Sequence, residues 1–157
     1  MSDNPQIDVG PTIEERTLGW ARKLVETWGG KTPYKMGGAS WETGMDCSEF
    51  AARCVGRKKF DGRKYWNTDA IYHDALTKQT CWMSIPKPVP GCLGVYGGRM
   101  ANGKRRAGHV WIVEDVEGGG TIECCSGYGV CRRVRKSWFA PNATGNGWPI
   151  LWVVPVE

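Results

Sequence analysis

Asp46-Cys47-Ser48-Glu49-Phe50-Ala51-Ala52-Arg53-Cys54-Val55-Gly56 is the stretch on which the reading of this 157-residue chain turns. An aspartate followed three residues later by a glutamate has the pattern of a capping box. The Asp46 carboxylate takes the orphan amides of a helix start, and Glu49 reaches back to the cap's own N–H. Cys47 is thereby predicted at the first helical position, with Phe50, Ala51, Cys54 and Val55 on one inward stripe. A sulfur placed there meets unpaired backbone N–H groups at the positive end of the helix, which favours the thiolate. Cys47 is the candidate nucleophile, weighed against the plainer reading of a small buried hydrophobe; Cys54 lies in mid-helix facing the core.

A thiol that cleaves amides also needs a base within reach and a group that orients the base. The chain has two histidines. His73 lies in Tyr72-His73-Asp74, inside a short helix expected over 68–77, and reads as a surface or packing residue. His109 opens the run Gly108-His109-Val110-Trp111-Ile112-Val113. Gly108 lets another backbone come close, and the mouth of a rigid sheet suits a general base.

Working outward, Thr12 and Glu15 form a further capping box for a helix with Ile13, Thr17, Ala21, Leu24 and Trp28 on one face, stopped by Gly29-Gly30. Pro86, Pro88, Pro90 and Gly91 end the helical half. Strands are expected over 93–96, 109–116, 121–125, 129–135 and 151–156, in an antiparallel sheet. Helices first and strands afterwards mean an α+β fold, with helices packed on a sheet. Residues 1–11 read as a flexible tail and 12–157 as a single domain, long enough to hide roughly 68–70% of its unfolded surface.

Composition narrows the function classes. The 22 glycines have no three-residue period, which excludes a collagen-like chain, and nine Trp, five Tyr and three Phe with only 24% charged residues argue against disorder. No apolar run approaches the ~18 residues of a membrane span. The N-terminus lacks the basic start and apolar stretch of a signal peptide. Action at a cell wall or in a periplasm would then follow release by lysis or by a secretion machine. Seven cysteines without a C-x-x-C pair speak against a zinc site. Neither metal nor cofactor is expected, and a monomer is. The net charge of +5 sits in three clusters: Arg57-Lys58-Lys59 with Arg63-Lys64, Lys104-Arg105-Arg106, and Arg132-Arg133 with Arg135-Lys136. Singly these read as solvated surface, and together they favour an anionic partner. With no helix-turn-helix, finger or RNA-binding signature, nucleic acid is not expected.

Tyr34-Lys35-Met36-Gly37-Gly38, the loop 39–45 and Asp46-Cys47-Ser48 resemble the Tyr-x-x-Gly-Gly…Asp-Cys-Ser signature of NlpC-type cell-wall cysteine peptidases. Pro90-Gly91-Cys92-Leu93-Gly94-Val95-Tyr96 and then Gly108-His109-Val110 are similar to that family's later strands, in order. The resemblance spans roughly residues 12–156. It implies a papain-like core in which Cys47 is the nucleophile and His109 the base. Glu123, in Thr121-Ile122-Glu123-Cys124, falls where the family's orienting residue stands. Tyr34 would line the site and donate to the oxyanion, while Asp46 and Ser48 would contact the substrate's amino end. The related CHAP amidases often carry an acid or amide as third residue, which Glu123 suits.

The implied activity is cleavage of amide bonds in peptidoglycan stem peptides through a thioester. An N-acetylmuramoyl-L-alanine amidase, a thiol acyltransferase and a non-enzymatic wall-binding module are the alternatives. Trp41, Tyr65 and Trp66 are expected along the cleft, and the basic clusters against anionic wall polymers. Trp20, Trp28, Trp138, Trp148 and Trp152 are expected in or near the core. Two positions depart from the family: Glu49 stands where glycine is common, and Cys92 where aspartate is usual; pairing with another thiol such as Cys81 would account for Cys92.

Strand geometry bears on Glu123. A hairpin centred on Glu117 sets Glu123 opposite Trp111 and diagonal to His109. A two-residue turn at Gly118-Gly119 sends it to the other face, where it would be an ordinary solvent-facing residue. The glycines at 118–120 permit both registers.

Overall fold

The computed structural model describes residues 10–61 and 64–156. Most of the tail expected over 1–11, and Arg63, lie outside the described residues. Three helices form: α1 (Ile13–Trp28), α2 (Cys47–Cys54) and α3 (Thr68–Leu76). The main sheet has six strands: β1 (Trp82–Ile85), β2 (Leu93–Tyr96), β3 (His109–Asp115), β4 (Gly120–Cys125), β5 (Gly129–Val134) and β6 (Leu151–Pro155). They lie in the order β5-β4-β3-β2-β6-β1, antiparallel throughout. This is the α+β, papain-like arrangement expected from the sequence. Among the described residues no helix is long and apolar enough to cross a membrane.

Strand β1 was not expected. Trp82-Met83-Ser84-Ile85 has no clean alternation, and its partner β6 is the last strand of the chain. Pro86 follows immediately, which suits an edge position.

Alternation along the strands divides the core. Val110, Ile112, Ile122, Cys124 and Val130 face the helices and pack with Ala21, Phe50, Ala51 and Ile71. Trp111 and Val113 join Cys92 and Val154 in a second cluster, covered by Trp138, Phe139 and Trp152. Both faces of the sheet are therefore dry, and His109, sharing the parity of Trp111 and Val113, stands at the end of β3, from where it reaches Cys47 at the start of α2.

Several expectations are corrected. The fully buried residues of α1 are Thr17, Ala21 and Val25, with Leu24 and Trp28 only partly covered. Trp20 is 54% exposed and Trp148 45%, so neither belongs to the core, whereas Trp28, Trp138 and Trp152 pack against it. All seven cysteines are free, so Cys81 and Cys92 do not pair. Cys92 is a core sulfur in the second cluster that accepts the Val89 N–H at 3.5 Å.

Candidate active site

Asp46 caps α2 as expected, its Oδ1 accepting the Glu49 N–H at 2.9 Å. Glu49 does not reach back. Its carboxylate takes Arg53 one turn on at 3.0 Å, and the Asp46 N–H goes to the Gly38 carbonyl. Cys47 thus stands at the first helical position, nearly buried at 6% exposure.

His109 opens β3 opposite Tyr96 of β2. Gly108 before it is packed so closely that a Cβ would lie 2.6 Å from Thr68 Oγ1 and closer still to the Tyr96 carbonyl. The chain can turn into β3 here only without a side chain. Trp111 stacks on the imidazole at 5.8 Å, and Trp138 approaches it at 5.7 Å.

The hairpin from β3 to β4 takes the register centred on Glu117. Thr121 pairs with Val113 and Ile122 with Ile112, after a bulge between Gly120 and Thr121. Continuing that register places Glu123 opposite Trp111 and diagonal to His109. The carboxylate is fully buried. Glu123 Oε1 lies 3.1 Å from His109 Nε2 and accepts from Arg135 Nη2 at 2.7 Å, and Oε2 accepts from the Thr121 hydroxyl. Since Nε2 is engaged by Glu123, Nδ1 is the nitrogen left for the thiol.

The charges follow from these contacts. Burial pushes the His109 pKa down, but hydrogen bonds to Cys47 and Glu123 outweigh it and raise it from 6.5 to about 9. Burial pushes Glu123 up, but hydrogen bonds from His109, Arg135 and Thr121 hold it down at about 2. The pair is thus an imidazolium on a carboxylate at neutral pH. Tyr34 is pushed up to about 12 by burial and by its closeness to Cys47 and Asp46, so its hydroxyl stays a donor.

Cys47 opens onto a cleft of about 400 Å³ whose lining includes Tyr34, Asp46, Ser48, Lys59, Tyr65 and Arg105. A larger groove of about 870 Å³, lined by residues of 84–88 and 138–152, contains neither Cys47 nor His109. Tyr65 lines the cleft, but Trp66 is buried, packed edge-on to Trp82. Trp41 also lies off the cleft, stacked on Trp28 at 5.2 Å and edge-on to Phe50. Both aromatics pack into or against the core and neither lines the cleft that holds Cys47. His73 sits in α3, at the rim of a separate small pocket with Tyr65 and Trp66.

Several members of the basic clusters have structural partners that their sequence context did not announce, among them Arg105 on Asp69 at 2.6 Å and Arg57 on the Cys81 carbonyl at 2.8 Å. Lys59 is buried, donating to Asp46 Oδ2 with its ammonium over the Tyr65 ring. With Ser48 Oγ, Glu49 N and Gly37 N also donating to it, Asp46 has four donors of its own chain. Arg132 pairs with Glu114 at 2.9 Å. Arg135 holds Glu123 from the end of β5, its Nη2 2.7 Å from Oε1.

The structure brings together a thiol at a helix start and an imidazole and a carboxylate on the adjoining sheet, the arrangement that the sequence resemblance implies. The model of the CHAP domain matches residues 34–127, more than half of the chain and inclusive of Cys47, His109 and Glu123. The chain belongs to the CHAP domain family, whose members are generally hydrolases of peptidoglycan. No curated protein matches it. Among solved structures it is similar to a protein described as similar to lipoprotein, NLP/P60 family, from Staphylococcus aureus subsp. aureus Mu50, at 20% identity and a TM-score of 0.48. That likeness covers 78% of this chain and 38% of the other, so the chain spans about two fifths of that protein's length.

Proposed function

We propose that this chain is a cysteine hydrolase that cleaves amide bonds of peptidoglycan stem peptides through a thioester. The observation that supports it most is the row of Cys47, His109 and Glu123, with an imidazolium held between sulfur and carboxylate. In this reading the Cys47 thiolate attacks the peptide carbonyl. Backbone N–H at the start of α2 and the Tyr34 hydroxyl donate to the oxyanion. His109 gives its proton to the leaving amine and then takes one from the water that opens the thioester. Glu123 keeps the proton on Nε2 and balances the imidazolium charge. The exposed Lys104 and Arg106 beside the cleft residue Arg105 favour contact with anionic wall polymers.

An N-acetylmuramoyl-L-alanine amidase is the second reading, favoured by the match to CHAP. It uses the same groups on a different bond, the amide between the lactyl group and the first stem residue. Digestion of purified peptidoglycan by wild type and Cys47→Ala, with mass spectrometry of the fragments, tests both. Peptides cut internally support the endopeptidase, and whole stem peptides freed from glycan support the amidase. Equal fragment patterns from the two proteins refute the thiol mechanism.

A further inference from the structure

Two cysteines outside the reacting groups lie with their sulfurs 3.7 Å apart: Cys125 at the end of β4 and Cys131 in β5. Both share the sheet face of Glu123. Cys131 is the cross-strand partner of Glu123, and Cys125 lies two residues further along β4. Burial pushes the thiols of Cys92 and Cys124 up to about 12, and that of Cys54 up as well, which leaves them inert. Cys125 goes the other way: the hydrogen bond from Cys131 brings it down to about 7, against the burial that opposes it. Cys131 is partly exposed and Cys125 is buried.

We propose that Cys125 and Cys131 form an oxidation site for a small hydroperoxide, closing to a disulfide that draws β5 towards β4 and loosens the hold of Glu123 on His109. The Cys125 thiolate attacks the terminal peroxide oxygen, the O–O bond breaks, and hydroxide (from hydrogen peroxide) or alkoxide (from an alkyl hydroperoxide) leaves and takes up the proton that the Cys125 thiol lost, as water or alcohol. The sulfur of Cys131, losing its proton, then attacks the sulfenic sulfur and expels its oxygen as water. Two thiols are oxidised and one peroxide is reduced.

An S–S bond of about 2.05 Å requires the sulfurs to approach by roughly 1.7 Å. Arg135 follows directly on β5 and reaches both Glu123 oxygens, at 2.7 and 3.5 Å, so a shift of β5 moves the fork that seats the carboxylate. Such sites tolerate only about 0.5 Å of displacement.

The test uses the full chain carrying Cys47→Ala, so that the active-site sulfur does not compete for oxidant, and it does not depend on which bond the enzyme cuts. After graded hydrogen peroxide, free thiols are alkylated under denaturing conditions and the chain is cleaved after Tyr128, which separates the two cysteines. Met36 and Met100, 65% and 64% exposed, report the oxidant dose as sulfoxides. The expected product is a dithiothreitol-sensitive link between the Cys125 and Cys131 peptides at doses that leave both methionines intact. With Cys131→Ser the link is absent and Cys125 is trapped as a dimedone adduct. Both sulfurs fully alkylated at doses that oxidise the methionines would overturn the site. In the disulfide form the NMR titration of His109 is expected to fall by about one unit relative to the reduced form. An unmoved titration in the presence of the link overturns the coupling to Glu123.

Discussion

Glu123→Gln removes one charge and keeps the side-chain shape. The glutamine carbonyl still accepts from His109 Nε2, so what is lost is the ionic part of that hydrogen bond. Hydrogen bonds to charged groups contribute about 1.5–3 kcal/mol against about 1 for neutral ones, and Glu123 is fully buried, so water replaces little of the difference. The imidazolium therefore loses about 0.5–2 kcal/mol of support, equivalent to roughly one pH unit and a 2–30-fold fall in kcat. In the wild type the His109 imidazolium, which the proposed mechanism uses to protonate the leaving group, disappears as pH rises through about 9. The alkaline limb of kcat, measured on soluble peptidoglycan fragments, is expected near that value and about one unit lower in Glu123→Gln. Both effects arise from the same lost interaction. A variant whose kcat falls while its alkaline limb stays in place refutes the electrostatic role, and wild-type kinetics refute any role.

Gly108→Ala forces a methyl group against Thr68 Oγ1 and the Tyr96 carbonyl; it is expected to destabilise the fold by about 1–3 kcal/mol in urea unfolding. Lys59→Met leaves Asp46 buried without its cation, and by the usual penalty for breaking a buried pair it destabilises by about 3–5 kcal/mol. The double variant with Asp46→Asn should recover part of that loss in the same assay. The stability of the His109–Glu123 pair has a pH window. The depressed Glu123 stabilises fully above its ordinary 4.5, a contribution lost as pH falls through about 2. The raised His109 stabilises fully below 6.5, a contribution lost as pH rises through about 9. Urea midpoints across the pH scale are expected to be highest between those two ordinary values, and a maximum above pH 9 contradicts the assignment.

The parts of the site carried by local chemistry could be read from the chain alone. The Asp46 cap sets Cys47 at the helix start through contacts within three residues, and Gly108-His109 announces a close approach and a strand in adjacent letters. Glu123 was half legible, because its face depends on where the bulge falls among Gly118, Gly119 and Gly120, and any of three positions accepts it. Arg135 and Lys59 were illegible: each looks like one more member of a surface charge cluster until distant strands and loops bring it onto a carboxylate. Trp41 misled by its nearness in sequence to Cys47, since the loop carries it back onto Trp28. Strand β1 escaped notice because its pairing comes from residues about 70 positions away.

The stacking of Trp111 on His109 at 5.8 Å and 24° has an optical consequence. A protonated imidazole over an indole face is a cation over a π surface, and it drains the excited state of that indole by electron transfer. Emission from Trp111 should brighten as His109 loses its proton, so a pH titration of intrinsic fluorescence follows the charge on His109 without label or substrate.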